Sequence, residues 1–139
     1  MHTDINQVET EISSIIIGCA YEVSNTLGAG FLEKVYENAM FVELREMNLN
    51  VVKQAPIKVF YKGQEVGEYF ADLIVENSVI IELKSAENLS KANESQLLNY
   101  LRATEIEVGL LMNFGTTAEY RRKVFENNRK TFKDELLNP

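Results

Sequence analysis

The chain is poor in the residues behind most familiar catalytic chemistry, with one cysteine, Cys19, and one histidine, His2. A lone cysteine excludes an internal disulfide and a cysteine-built zinc cluster. Cys19 falls on the apolar face of the first predicted helix, where it reads as a small buried hydrophobe. With His2 alone at the chain end, Ser-His and Cys-His nucleophilic pairs and histidine-held zinc all lack their imidazole. Any metal must then be held by oxygen, which favours Mg²⁺ or Mn²⁺. No apolar run approaches the ~20 residues of a membrane helix. The start, Met1-His2-Thr3-Asp4, lacks a basic stretch followed by a long apolar one, so the expectation is a cytoplasmic location with no membrane partner. Positive charge is scarce as well: 14 Lys and Arg against 21 Asp and Glu give a net charge of -7, which argues against coating nucleic acid by simple attraction.

What is present suffices for one domain, 1–139, since 139 residues with 45% hydrophobic content can bury a core without staples. Charge is unevenly spread. From Thr116 to Lys133 six basic residues face two acidic ones, leaving +4 there and -11 on the remainder. Arg121, Arg122 and Lys123 are the candidates for a phosphate-binding strip; a solvated C-terminal end explains the same charges equally well.

Apolar residues at Ile12, Ile16, Cys19, Val23 and Leu27 predict a first helix, ended by Gly28-Ala29-Gly30. Val35, Tyr36, Ala39, Met40 and Leu44 predict the buried side of a second, with Glu33 in its first turn. Strand signals follow at Val51-Val52, at Ile57 to Tyr61 after Pro56, from about Glu65 to Val75, and from Val79 to Lys84. Ser90 is placed to cap a helix reaching about Arg102, and Val108 to Phe114 reads as a further buried strand. A helix crossing between two strands allows the last to lie parallel to its neighbour, so the expected fold class is α/β in the broad sense, a mixed α+β sheet flanked by helices. Beyond Gly115 the pattern fits a strand or a helix alike.

The chemistry concentrates in Glu82-Leu83-Lys84, at the end of the apolar run Val79-Ile80-Ile81, and in Asp72 ten positions earlier. A three-residue connection, Glu76-Asn77-Ser78, sets Val75 opposite Val79 and therefore Asp72 opposite Glu82. Opposed side chains in an antiparallel pair stand roughly 4.5 to 5.5 Å apart at Cβ, so two carboxylates in a covered sheet ask for a cation. A two-residue turn would flip the parity and break the site. Lys84 projects to the same face as Glu82, and Gln96 and Tyr100, four apart on the third helix, lean over one place. Glu33 is the candidate third acid and the Leu83 carbonyl a neutral ligand. Taken singly, each part has an ordinary explanation: an E-x-K triplet is usually an exposed ion pair, and Glu33 suits a helix start.

The order of these elements resembles the PD-(D/E)XK nuclease superfamily, with Gln96 and Tyr100 similar to the QxxxY element of its RecB-like branch. Gly30-Phe31-Leu32-Glu33-Lys34-Val35-Tyr36 is similar to the defining motif of the GxxExxY protein family, and Val108 to Gly115 to that family's closing strand. The resemblance implies a restriction-endonuclease-like core and Mg²⁺- or Mn²⁺-dependent hydrolysis of nucleic-acid phosphodiesters, DNA ahead of RNA. Asp72, Glu82, Lys84, Gln96 and Tyr100 take the catalytic roles, and Glu33, Asp72, Glu82 and Leu83 the metal. Three positions depart from the pattern: Phe70 stands where a basic residue is expected, Ala71 precedes the aspartate, and Ala29 occupies the loop before Glu33. Alternatives stay open. One is a nuclease fold kept as a catalytically weak or inactive binding module, working as a homodimer or with a protein partner; another is an ion-pair cluster with no ligand.

Overall fold

A computed structural model describes residues 7–130. In them, β1 (Val51–Tyr61), β2 (Gln64–Val75), β3 (Val79–Lys84), β4 (Val108–Phe114) and β5 (Ala118–Val124) form one sheet in sequential order. Neighbours are antiparallel except β3 and β4, which run parallel and are joined by α3 (Lys91–Arg102). The sheet is mixed and the fold is α+β, as expected.

The alternation of β3 assigns the helices to its two faces. Val79, Ile81 and Leu83 pack with Leu73, Val75 and with Val108, Leu110, Met112 and Phe114 of β4 against α1 (Val8–Leu27) and α2 (Glu33–Glu46). Ile80 points the other way, into a second cluster with Leu97, Tyr100 and Leu101 of α3. Glu82 and Lys84 share the parity of Ile80 and so belong to the α3 side. The five apolar residues Val79, Ile80, Ile81, Leu83 and Leu111 are at most 1% exposed, as a strand covered on both faces requires.

Local chemistry sets the boundaries. Ser90 caps α3 as expected: its side chain accepts from the Asn93 N–H while the Asn93 side chain accepts from the Ser90 N–H. Two expectations are corrected and one open alternative is decided. Val51–Tyr61 is one strand and not two, because β1 lies at the sheet edge, where Pro56 costs no ladder bond. The segment after Gly115 is a strand, β5, decided by its pairing with β4. Val35 is 38% exposed, because the buried side of α2 is turned to carry Tyr36, Glu37, Met40 and Leu44. His2 and Lys133 lie outside the described residues.

Candidate active site

The hairpin between β2 and β3 has the expected register: Val75 pairs with Val79, Ile74 with Ile80 and Leu73 with Ile81. At the next rung the ladder gives way to side chains. The Asp72 N–H donates to Glu82 Oε2 at 2.9 Å, and the Leu83 N–H donates to Asp72 Oδ2 at 2.8 Å. Each carboxylate is thus pinned by the opposite strand's backbone, and the two acids are held together. Asp72 also sits where β2 reverses its faces. Ala71 belongs to the α3 cluster but Leu73 to the α1/α2 cluster, and the pairing with β1 skips from Lys53–Leu73 to Ala55–Ala71. The skipped partner, Gln54, has φ +50°. That irregularity lets Asp72 stand between the two layers.

The electrostatics follow from burial. Glu82 is 6% exposed, and its carboxyl is pushed up to about 8, by desolvation first and then by the charge of Asp72. The Asp72 N–H and Lys84 oppose the rise, and Glu33 adds to it. Asp72 is raised too, by burial first, with Glu37 adding while the Leu83 N–H, Lys84 and Gln54 oppose. Two acids that resist ionising, in a setting of oxygen donors only, fit a hard divalent cation, which relieves the repulsion that burial amplifies. Among the described residues no group of three or more His, Cys, Asp or Glu side chains is gathered for a metal. Asp72 and Glu82 form the joined pair, and Glu33, exposed in the first turn of α2, bears on Glu82 through its charge. Leu83 contributes its backbone N–H, its side chain lying in the core.

Sequence reasoning missed Glu37 and Gln54. Glu37 is 5% exposed; it accepts from Lys34 Nζ at 3.1 Å and from Gln54 Nε2 at 2.9 Å. The same Gln54 nitrogen lies 3.4 Å from Asp72 Oδ1. Gln54 therefore bridges a buried helical acid to the site aspartate. The available signal was spacing: Glu37 is one turn after Glu33 and next to the buried Tyr36. Nothing local marks Gln54.

The Gly30-to-Tyr36 motif has a mechanical role. Tyr36 is fully buried, stacked on Phe114 at 4.5 Å between ring centroids; its hydroxyl donates to the Gly28 carbonyl and accepts from the Phe31 N–H at 3.2 Å. Gly30 has φ +108°, a conformation that favours glycine, and Ser85 Oγ donates to the Phe31 carbonyl at 2.9 Å. The loop that delivers Glu33 is thereby tied to the residue after Lys84. Asn113 completes the frame, exchanging two hydrogen bonds with the Ala86 backbone at 3.0 and 2.9 Å. Tyr36→Phe, which strands the Phe31 N–H and the Gly28 carbonyl, is expected to cost about 1 to 3 kcal/mol in chemical denaturation. An unchanged midpoint would show the hydroxyl to be idle.

On the α3 side Gln96 Nε2 donates to the Tyr100 hydroxyl at 2.9 Å. Tyr100 is 5% exposed and its hydroxyl is raised by burial first and then by the charge of Glu82, with Asp72 adding. Tyr100 therefore lies within range of the charges of the two acids, and Gln96 is joined to it. The basic candidates sit elsewhere, on β5, with β4 between them and β3. Lys123 and Arg121 pair with Glu94 of α3, the latter at 4.0 Å, and Arg122 reaches Thr10 Oγ1 at 3.5 Å.

On adjacent antiparallel strands a buried Glu82 meets a half-buried Asp72, with Lys84 two residues further along β3 and Glu33 acting on Glu82 through its charge. The family profile of the PD-(D/E)XK nuclease superfamily matches residues 10–124, and the chain belongs to that superfamily. Comparison with curated proteins gave no match. Among solved structures, the crystal structure of SSO0001 aligns at 17% identity with a TM-score of 0.45, over 88% of this chain and 61% of its own. The chain therefore spans less than two thirds of that protein's length.

Proposed function

We propose that this domain is a nuclease of the GxxExxY type, on the QxxxY branch, hydrolysing nucleic-acid phosphodiesters with Mg²⁺ or Mn²⁺. The observation that carries the reading is the Asp72–Glu82 pair, locked by backbone donors and raised in pKa beside Lys84. Asp72 and Glu82, with Glu33 and the Leu83 carbonyl, would hold a divalent ion that draws charge from a phosphate oxygen and acidifies bound water. Lys84 places its positive charge where negative charge builds on the phosphoryl group. Gln96 and Tyr100 orient water or phosphate from the α3 side, and Gln54 with Glu37 fixes the Asp72 carboxylate. DNA ranks ahead of RNA as substrate, in the cytoplasm, and a domain this small holds a long substrate best as a homodimer or with a protein partner.

A second reading, a binding module with little catalysis, draws on Phe70, half-exposed where a basic residue is expected, and on the engagement of Arg121 and Lys123 with Glu94. Nicking of supercoiled plasmid and cutting of single-stranded DNA with Mg²⁺ or Mn²⁺ separate the two. The wild type is expected to cleave and the Asp72→Asn/Glu82→Gln double variant to fall to background. Equal cleavage by both would overturn the proposal.

A further inference from the structure

A cavity of about 230 Å³ opens on the α3 side of the sheet, lined by residues that include Val59, Tyr69, Gln96, Asn99, Tyr100 and Arg102. The accessory pair Gln96 and Tyr100, joined by a hydrogen bond, forms part of its wall, and Tyr69 brings to it the strand that carries Asp72. Tyr69, three residues before Asp72 on β2, is 47% exposed, and its ring stands 5.7 Å from that of Tyr100 at an angle of 48°. Two tilted aromatic rings thus border the cavity, and the residue carrying one of them is half open to solvent.

We infer that this cavity holds one unstacked base of a single-stranded nucleic acid, seated on Tyr69 while the adjoining phosphate reaches the acidic pair. Stacking on an aromatic ring is how proteins take hold of single strands irrespective of sequence, and a paired base in a duplex cannot enter. The polar lining suits a base edge. Gln96 spends its amide nitrogen on Tyr100, and Asn99 spends its oxygen on Arg102 at 3.2 Å, which leaves an amide oxygen and an amide nitrogen to meet the base. Arg102, over the Phe125 ring at 5.1 Å, brings positive charge to the rim.

Charge points the same way. The chain carries -7, and Arg121 and Lys123 are engaged by Glu94, so the phosphate neutralisation on which duplex binding rests is in short supply. A contact worth its affinity through stacking asks for less of it. Phe70, the residue found in place of a basic one, projects from the opposite face of β2 and takes no part in the cavity.

The inference rests on the nuclease reading for the identity of the neighbouring site, but its test does not need cleavage. Fluorescence anisotropy of a labelled oligothymidylate, with the matching duplex as competitor, measures Kd for wild type, Tyr69→Ala and Tyr69→Phe. Tyr69 is half-exposed, so its truncation leaves the core intact. The single strand is expected to bind more tightly than the duplex, Tyr69→Ala to weaken it about tenfold, the scale of losing one base–aromatic stack, and Tyr69→Phe to retain it. A wild type that prefers duplex or binds neither, or a Tyr69→Ala affinity equal to wild type, overturns the inference. Stacking-dependent binding without cleavage would instead remove the nuclease reading and leave the base site standing.

Discussion

Lys84→Ala is expected to lower the single-turnover rate of Mn²⁺-dependent cleavage by about 10²- to 10³-fold while metal affinity holds or tightens. The magnitude is that of removing one donor aimed at developing negative charge. The direction for the metal follows from Coulomb repulsion, because the ammonium now lowers the pKa of both acids and would compete with a cation for the same carboxylates. A counter-ion that merely neutralised the pair would behave otherwise: a bound metal would replace it, and cleavage would survive at saturating Mn²⁺. The decisive measurement is the rate at saturation, read together with calorimetric Mn²⁺ binding. Lys84→Arg sharpens it, keeping the charge while moving the donors, and is expected to recover only part of the rate. Full activity of Lys84→Ala at saturating metal would remove Lys84 from the chemistry.

The joined acids are legible in the sequence because strand parity is unforgiving. Once Glu76-Asn77-Ser78 is the connection, Asp72 must face Glu82, and the ladder from Val75–Val79 to Leu73–Ile81 carries that register through. The Ser90 cap and the buried run of β4 were equally local signals. Other features depend on partners distant in sequence. Pro56 reads as a strand break until β1 is known to be an edge strand, and β5 is fixed only by its ladder with β4. Gln54 is invisible as a site residue because its role arises from a missing rung opposite Asp72 and a helix 17 residues upstream. Glu37 is the instructive case. The rotation of α2 that exposes Val35 is the same one that buries Glu37, so both errors share one cause, a phase shift within an otherwise correct helix.

The metal-free protein is expected to lose stability as pH rises from about 5 to 8. Glu82 is held in the fold at about 8, against an ordinary glutamate value of 4.5, so in this window the folded chain keeps a proton that the unfolded chain has released. Stability from that proton is complete below the unfolded value and disappears as pH climbs through the folded one. The gap corresponds to a loss on the order of 4 to 5 kcal/mol by pH 8, and the raised Asp72 acts in the same direction. Melting temperature against pH in EDTA should therefore slope downward, and Glu82→Gln, which can still accept the Asp72 N–H, should flatten it. Adding Mn²⁺ at pH 8 should restore what ionisation removes, by about 2.7 kcal/mol at a hundredfold excess over Kd. The comparison separates a metal site from a self-satisfied ion-pair cluster, since the cluster gains nothing from the ion. A flat profile in EDTA, or a slope unchanged in Glu82→Gln, would show that the acids are not strained by their burial and would take away the driving force for binding a cation.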